Sequence, residues 1–142
     1  MKSPLTRVLL AAALALFLGG CASFDASVDG GQSLKGVQRF FVVSNLNDNR
    51  ALDHQIAQAL KARGFTAEVG PLTMMPDDTQ AVVTYQDHWA WDFGEHLVFL
   101  RINVRKPSQE QTYASATFSA RVPLREPATV TLRRLVDTLL EK

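Results

Sequence analysis

The hydrophobic pattern changes character several times along the chain. Val8 to Leu18, VLLAAALALFL, is an uninterrupted apolar run of eleven residues behind a short segment carrying Lys2 and Arg7. Ala22 to Gly36, ASFDASVDGGQSLKG, is small, polar and glycine-containing. It reads as a flexible tether that would span roughly 20 Å as a coil. Val37 to Leu46, VQRFFVVSNL, is β-branched and aromatic without a breaker, which predicts a buried strand. Asn47, Asp48 and Asn49 offer helix N-caps. From Arg50 to Arg63, Leu52, Ile56, Ala59 and Leu60 fall on one helical face, and Gly64 is placed to end that helix. Phe65 to Val69 predicts a short strand. Gly70 to Thr79, with two prolines and Asp77-Asp78, predicts a loop.

Three strands in meander order come next. Ala81 to Trp91 and Glu95 to Arg105 flank Asp92-Phe93-Gly94 as a hairpin, and Gln111 to Val122 is the third. Pro123 and Pro127 punctuate the exit, and Ala128 to Lys142 closes the chain as a helix with Leu132, Leu135, Val136 and Leu139 on one side. The order is β-α-β-β-β-β-α. It implies a single α+β domain over residues 37–142, an antiparallel-rich sheet with two helices packed on one face. The strand–helix–strand unit is expected to cross over right-handed.

Alternation along the hairpin assigns its faces. Val83, Tyr85, Asp87, Trp89 and Trp91 share one, matched on the next strand by His96, Val98, Leu100, Ile102 and Val104. That face is apolar along most of its length and is expected under the helices. His88 falls on the other face, with Leu97 and Phe99 opposite, where an exposed apolar patch would point to docking. His88 and His96 then point to opposite sides, and only a one-residue slip of register would unite them.

Composition narrows the function classes. The chain has 142 residues, 46% hydrophobic and 20% charged, with one cysteine. A lone Cys21 excludes an internal disulfide and a cysteine-based zinc site. Removing Lys2 and Arg7 from the 15 basic residues leaves 13 against 14 acidic ones, so no basic field exists to attract nucleic acid.

The apolar run is too short for an ordinary transmembrane helix, which needs about 20 residues. With its basic flank it fits a secretory signal peptide over residues 1–20. The run ends in Leu18-Gly19-Gly20-Cys21, which resembles the bacterial lipoprotein signal motif, or lipobox. The resemblance implies that the Cys21 thiol receives a diacylglyceryl group, that a peptidase cuts before it, and that the new amino group is acylated. Two or more acyl chains anchor a protein stably to a bilayer where one does not. Ala22, rather than an aspartate, follows the cysteine; by resemblance to enterobacterial sorting rules this favours the periplasmic face of the outer membrane over the inner membrane. Residues 21–36 would then be the lipidated N-terminus and its tether.

A helix ending ALKARGF, a loop carrying MPDD and a strand AVVTYQDHWAWD resemble small bacterial lipoproteins of an uncharacterised, domain-of-unknown-function type. Those pair a lipobox with a compact α/β domain. The element order is also similar to lipoproteins that assist envelope assembly machines, such as the lipopolysaccharide-assembly subunit LptE.

Candidate chemistry concentrates in Asp87 to His96, DHWAWDFGEH, which holds both tryptophans, two of the three histidines and three carboxylates. Trp89 and Trp91, two residues apart on one face beside Asp87, could stack on a small molecule or fill the core edge. His88 and His96 match no zinc spacing. No G-x-S-x-G, serine–base pair or phosphate-binding glycine loop occurs. Ser115 and Ser119 read as a solvated strand face with Tyr113, Thr117 and Arg121. These observations lead to a non-enzymatic, lipid-anchored accessory or binding module of the cell envelope, without metal or cofactor. Its partners would be the bilayer through Cys21 and an envelope protein. The alternatives are a carrier or sensor of a small amphiphile at the Trp89/Trp91 edge, and a metal-dependent enzyme built on His88 and His96.

Overall fold

The computed structural model describes residues 22–92, 94–122, 124 and 126–142. The expected signal segment 1–20, with Leu18, Gly19 and Gly20, and the expected lipidation site Cys21 lie outside them. Six strands and two helices follow in order: β1 Ala22–Val28, β2 Arg39–Val43, α1 Leu52–Ala62, β3 Thr66–Gly70, β4 Ala81–Ala90, β5 His96–Arg105, β6 Thr112–Ala120 and α2 Ala128–Leu140. A 3-10 turn, Leu72–Met74, follows β3. The strands form one sheet in the spatial order β1-β6-β5-β4-β2-β3. From β2 onward the chain follows the expected β-α-β-β-β-β-α order.

The tether is where the structure departs from expectation. Ala22 to Val28 form an edge strand antiparallel to β6, not a flexible coil, and the irregular segment begins only at Asp29. The two strands match residue for residue. Phe24 faces Phe118, Ala26 faces Ala116, Ser23 faces Ser119 and Ser27 faces Ser115. On the inner side the Phe24 and Phe118 rings stand 5.0 Å apart. On the outer side the serine hydroxyls pair at 3.0 and 3.2 Å. Ser115 and Ser119 thus lie on the solvated outer face, as expected, and there pair across to the serines of β1.

The helices ride on one face. Leu52, Ile56 and Leu60 of α1, Leu132, Leu135 and Leu139 of α2, and Phe40, Val42, Val83, Leu100, Ile102 and Phe118 of the sheet belong to one buried cluster. Gly64 ends α1 as expected. It takes φ 90°, and the Gly64 and Phe65 amides donate to the Lys61 and Leu60 carbonyls at 2.9 and 3.2 Å, the paired bonds of a Schellman stop. Across the helices Arg63 Nε donates to Asp137 at 2.7 Å.

β3, β2 and β4 are parallel neighbours, so the chain must cross β2 to pass from β3 to β4. With α1 on one face, a right-handed return takes residues 71–80 over the other. Phe41 and Val82, which alternate away from the main cluster, are accordingly buried as well. Gln80 fastens the crossover by accepting the Gln38 and Arg39 amides at 2.7 and 3.1 Å, and Asp78 pairs with Arg39 at 2.8 Å.

Candidate functional site

The hairpin of β4 and β5 carries the residues singled out by sequence, and its register decides what they can do. Pairing runs from Val82–Arg105 to Ala90–His96 with a bulge at His88/Trp89. His88 faces Phe99, yet Trp89 faces Leu97, so Val98 is the extra residue. Two expectations are corrected by that single residue. Leu97 shares the face of Trp89 and enters the core at 5% exposure, so no apolar patch forms around Leu97 and Phe99. His96, opposite Ala90, takes a position on the side of His88, not the opposite one.

The two imidazoles nevertheless engage separate partners. His88 stands edge-on to Phe99 at 5.6 Å between centroids. His96 Nδ1 lies 3.0 Å from the Gly94 carbonyl, and its Nε2 lies 3.5 Å from Asp92. Among the described residues, no three His, Cys, Asp or Glu side chains gather as a metal-binding group.

Trp89 and Asp87 are brought together. The indole Nε1 donates to Asp87 Oδ2 at 2.7 Å, and the Arg50 guanidinium covers the ring at 4.3 Å. Arg50 also forms an ion pair with Glu95 and donates through Nη1 to Asn49 at 3.0 Å. Gln55 Nε2 donates to the Arg50 carbonyl at 3.0 Å. Arg50 Nε and Gln55 Oε1 are buried without a partner among the described residues. Trp91 takes no part. It lies past the end of β4 and is 73% exposed, so it neither fills the core edge beneath the helices nor joins Trp89 under Arg50.

Below this clamp sits a second one. Asp48 Oδ2 accepts the Tyr85 hydroxyl at 2.6 Å and the Leu52 amide at 2.6 Å, while Oδ1 accepts the Arg50 amide at 2.7 Å. Asp48 therefore caps α1 from outside the usual N-cap position, which Ala51 occupies with φ 54° and no side-chain bond of its own. Burial pushes the Asp48 pKa up, but the Tyr85 hydroxyl and the backbone amides together hold it below the ordinary carboxylate value. Tyr85 is displaced strongly upward, by burial first and by its bond to Asp48 second.

A cavity of about 140 Å³ opens between this hairpin and the start of α2, with Trp89, Glu95, His96, Glu126 and Thr131 in its lining. The Thr131 hydroxyl donates to Glu126 at 3.0 Å. Sequence reasoning missed Arg50, Tyr85 and Glu95 as partners of Trp89 and Asp48. Only the N-cap candidacy of Asp48 pointed this way, because the rest meet across more than thirty positions.

No family model matches the sequence, and no curated protein matches it. Among solved structures, the chain is similar in fold to the PelC dodecamer from Paraburkholderia phytofirmans in space group P6. The TM-score is 0.61 at 14% identity, over 84% of this chain and 95% of that one. A leucine-to-methionine variant of the PelC dodecamer from the same organism, in space group C2, gives the same values, 0.61 and 14%. At that identity the likeness shows a shared fold.

Proposed function

We propose that the protein is a lipoprotein held to the periplasmic face of an outer membrane by acyl chains on Cys21. Its α+β domain acts as a non-enzymatic accessory or binding module in envelope maintenance or assembly. The observation that carries this reading is Leu18-Gly19-Gly20-Cys21 at the end of an eleven-residue apolar run. Two features of the domain support it. β1 starts at Ala22, directly after the acylated position, so the anchor is continuous with the fold. The polar side chains around Trp89 bind one another, as structural clamps do, rather than converging on a reacting atom. The solved PelC chains that share the fold are dodecamers, which supports a partner-bound or self-assembled working form.

Expression of the full chain in a Gram-negative host, with membrane fractionation and intact mass, tests the reading. The mature chain is expected in the outer-membrane fraction, beginning at an acylated Cys21, and Cys21→Ala is expected in the soluble periplasm. Unchanged membrane association of Cys21→Ala would sink the anchor. In-cell crosslinking tests the module: envelope-assembly proteins are the expected partners, and a stoichiometric co-purified lipid in their place would favour an amphiphile carrier.

A further inference from the structure

The exposed large apolar side chains among the described residues are Leu46, Leu72, Met74, Trp91, Val122 and Val130. All six lie at one end of the sheet. β2, β3 and β4 run parallel, and Leu46, then Leu72 and Met74, then Trp91 follow their C-terminal ends. β6 runs antiparallel to β5 and ends at the same side, followed by Val122 and by Val130 in the first turn of α2. At the other end, segments 29–38, 63–65, 75–80 and 106–111 carry no exposed large apolar residue among those described. Singly exposed apolar residues are ordinary on a protein surface, but confinement to one end needs a cause.

The chain enters the sheet at that same end. Ala22 pairs with Ala120, the neighbour of Ser119, which faces Phe99, which in turn faces His88. Ala22 therefore stands about level with Trp89. Trp91 is two residues further out, about 7 Å at the rise of a strand. A peptide bond sets the Cα of Cys21 about 3.8 Å from that of Ala22. Acyl chains on Cys21 thus hold the rim within a few ångströms of the bilayer, with no coil between them to let the body drift away.

We infer that this end of the sheet is a lipid-facing surface, with Trp91 and Val122 seated at the headgroup level of the bilayer that the Cys21 acyl chains enter. The inference rests on the anchor proposed above. Indoles settle at the interface because the ring is apolar and its N–H still finds a polar partner there. Trp91 is 73% and Val122 58% exposed. Leu46, Leu72 and Met74 stand on the shoulder left where β2 and β3 stop. β4 runs on from Val83, its last pairing with β2, to Ala90, roughly 20 Å further. Trp91 and Val122 are accordingly the primary contact, and the shoulder extends it as the domain tilts.

Brominated-lipid quenching of Trp91 tests the inference on the full chain in phosphatidylethanolamine–phosphatidylglycerol vesicles. Trp89→Phe leaves Trp91 as the only indole. Adding Trp91→Phe and Lys106→Trp moves the reporter to the opposite end. Several-fold stronger quenching of Trp91 than of the indole at position 106 is expected. If Trp89→Phe does not fold, the wild-type chain, whose Trp89 is covered by Arg50, reports through Trp91. Intact mass and flotation of the same sample separate the two claims. Acylated, floating protein with Trp91 quenched no more than position 106 overturns the orientation and leaves the anchor. Unacylated protein that does not float overturns both. A lipid-free multimer with Trp91 already shielded from aqueous quenchers assigns the end to a second copy and overturns the inference.

Discussion

Asp48 binds a phenol and two backbone amides at once, and its titration should be visible in the stability of the whole domain. Its folded pKa lies below the reference 3.8, so its contribution is complete above that value and is lost as pH falls through the lower folded one. Tyr85 has the opposite sign. Its folded pKa is raised above 10.0, so its contribution is complete below 10.0 and is lost as pH rises toward the folded value. Urea melts of Asp48→Asn are expected to lose the acid limb of this profile. Tyr85→Phe removes a hydrogen bond to a charged acceptor and is expected to cost about 1.5–3 kcal/mol, with the alkaline limb abolished. Three residues on, Ala51 sits at φ 54°, where a side chain costs roughly 1–2 kcal/mol and the unfolded-state entropy of glycine returns about 0.5–1. Ala51→Gly is therefore expected to stabilise the domain by about 0.5 kcal/mol in the same melts.

The N-terminal strand is the element that changes the most about the molecule. β1 extends the sheet beyond β6 and lays Phe24 on Phe118, with the Arg134 guanidinium 4.4 Å over the Phe24 ring. Truncation of a partly buried aromatic here is expected to cost less than the roughly 3–5 kcal/mol of a fully buried one, so about 2 kcal/mol for Phe24→Ala. Hydrogen exchange gives the sharper check. Amides of Ala22–Val28 that bond to β6 should be protected, while those of Gly30 and Gly31 should exchange freely; a tether would exchange throughout. The strict alternation A-S-F-D-A-S-V was legible in advance as a half-buried strand. Alanine and serine have weak strand preference, and composition alone reads as linker. What makes the strand is its partner A-S-A-T-F-S-A more than eighty positions away.

At the scale of the molecule, the proposed anchor and the apolar rim act together. The chain expected after signal cleavage is nearly neutral, so its membrane association should not depend on charge. Salt at about 1 M shortens electrostatic screening to roughly 3 Å and would release a protein held by headgroup charge. The acylated chain is expected to stay with the membrane under that wash in a flotation assay, and release would contradict a lipid anchor. In the proposed arrangement anchor and orientation are separate: acyl chains on Cys21 would supply affinity, and Trp91 and Val122, both exposed, would set which way the domain faces.

The features legible from the chain alone were those with a helical period or a contiguous local cause. Leu52, Ile56 and Leu60 recur at helical spacing, Gly64 supplies the positive φ of a helix stop, and Leu18 to Cys21 form a contiguous motif. Only the tertiary structure decided the rest. The Val98 bulge moved Leu97 into the core and His96 to the side of His88, because a strand's faces depend on a partner's register and not on its own residues. Arg50 found Trp89 and Glu95 by the same non-local route. The gathering of six apolar side chains at one end came from strand direction, which no stretch of the chain encodes alone.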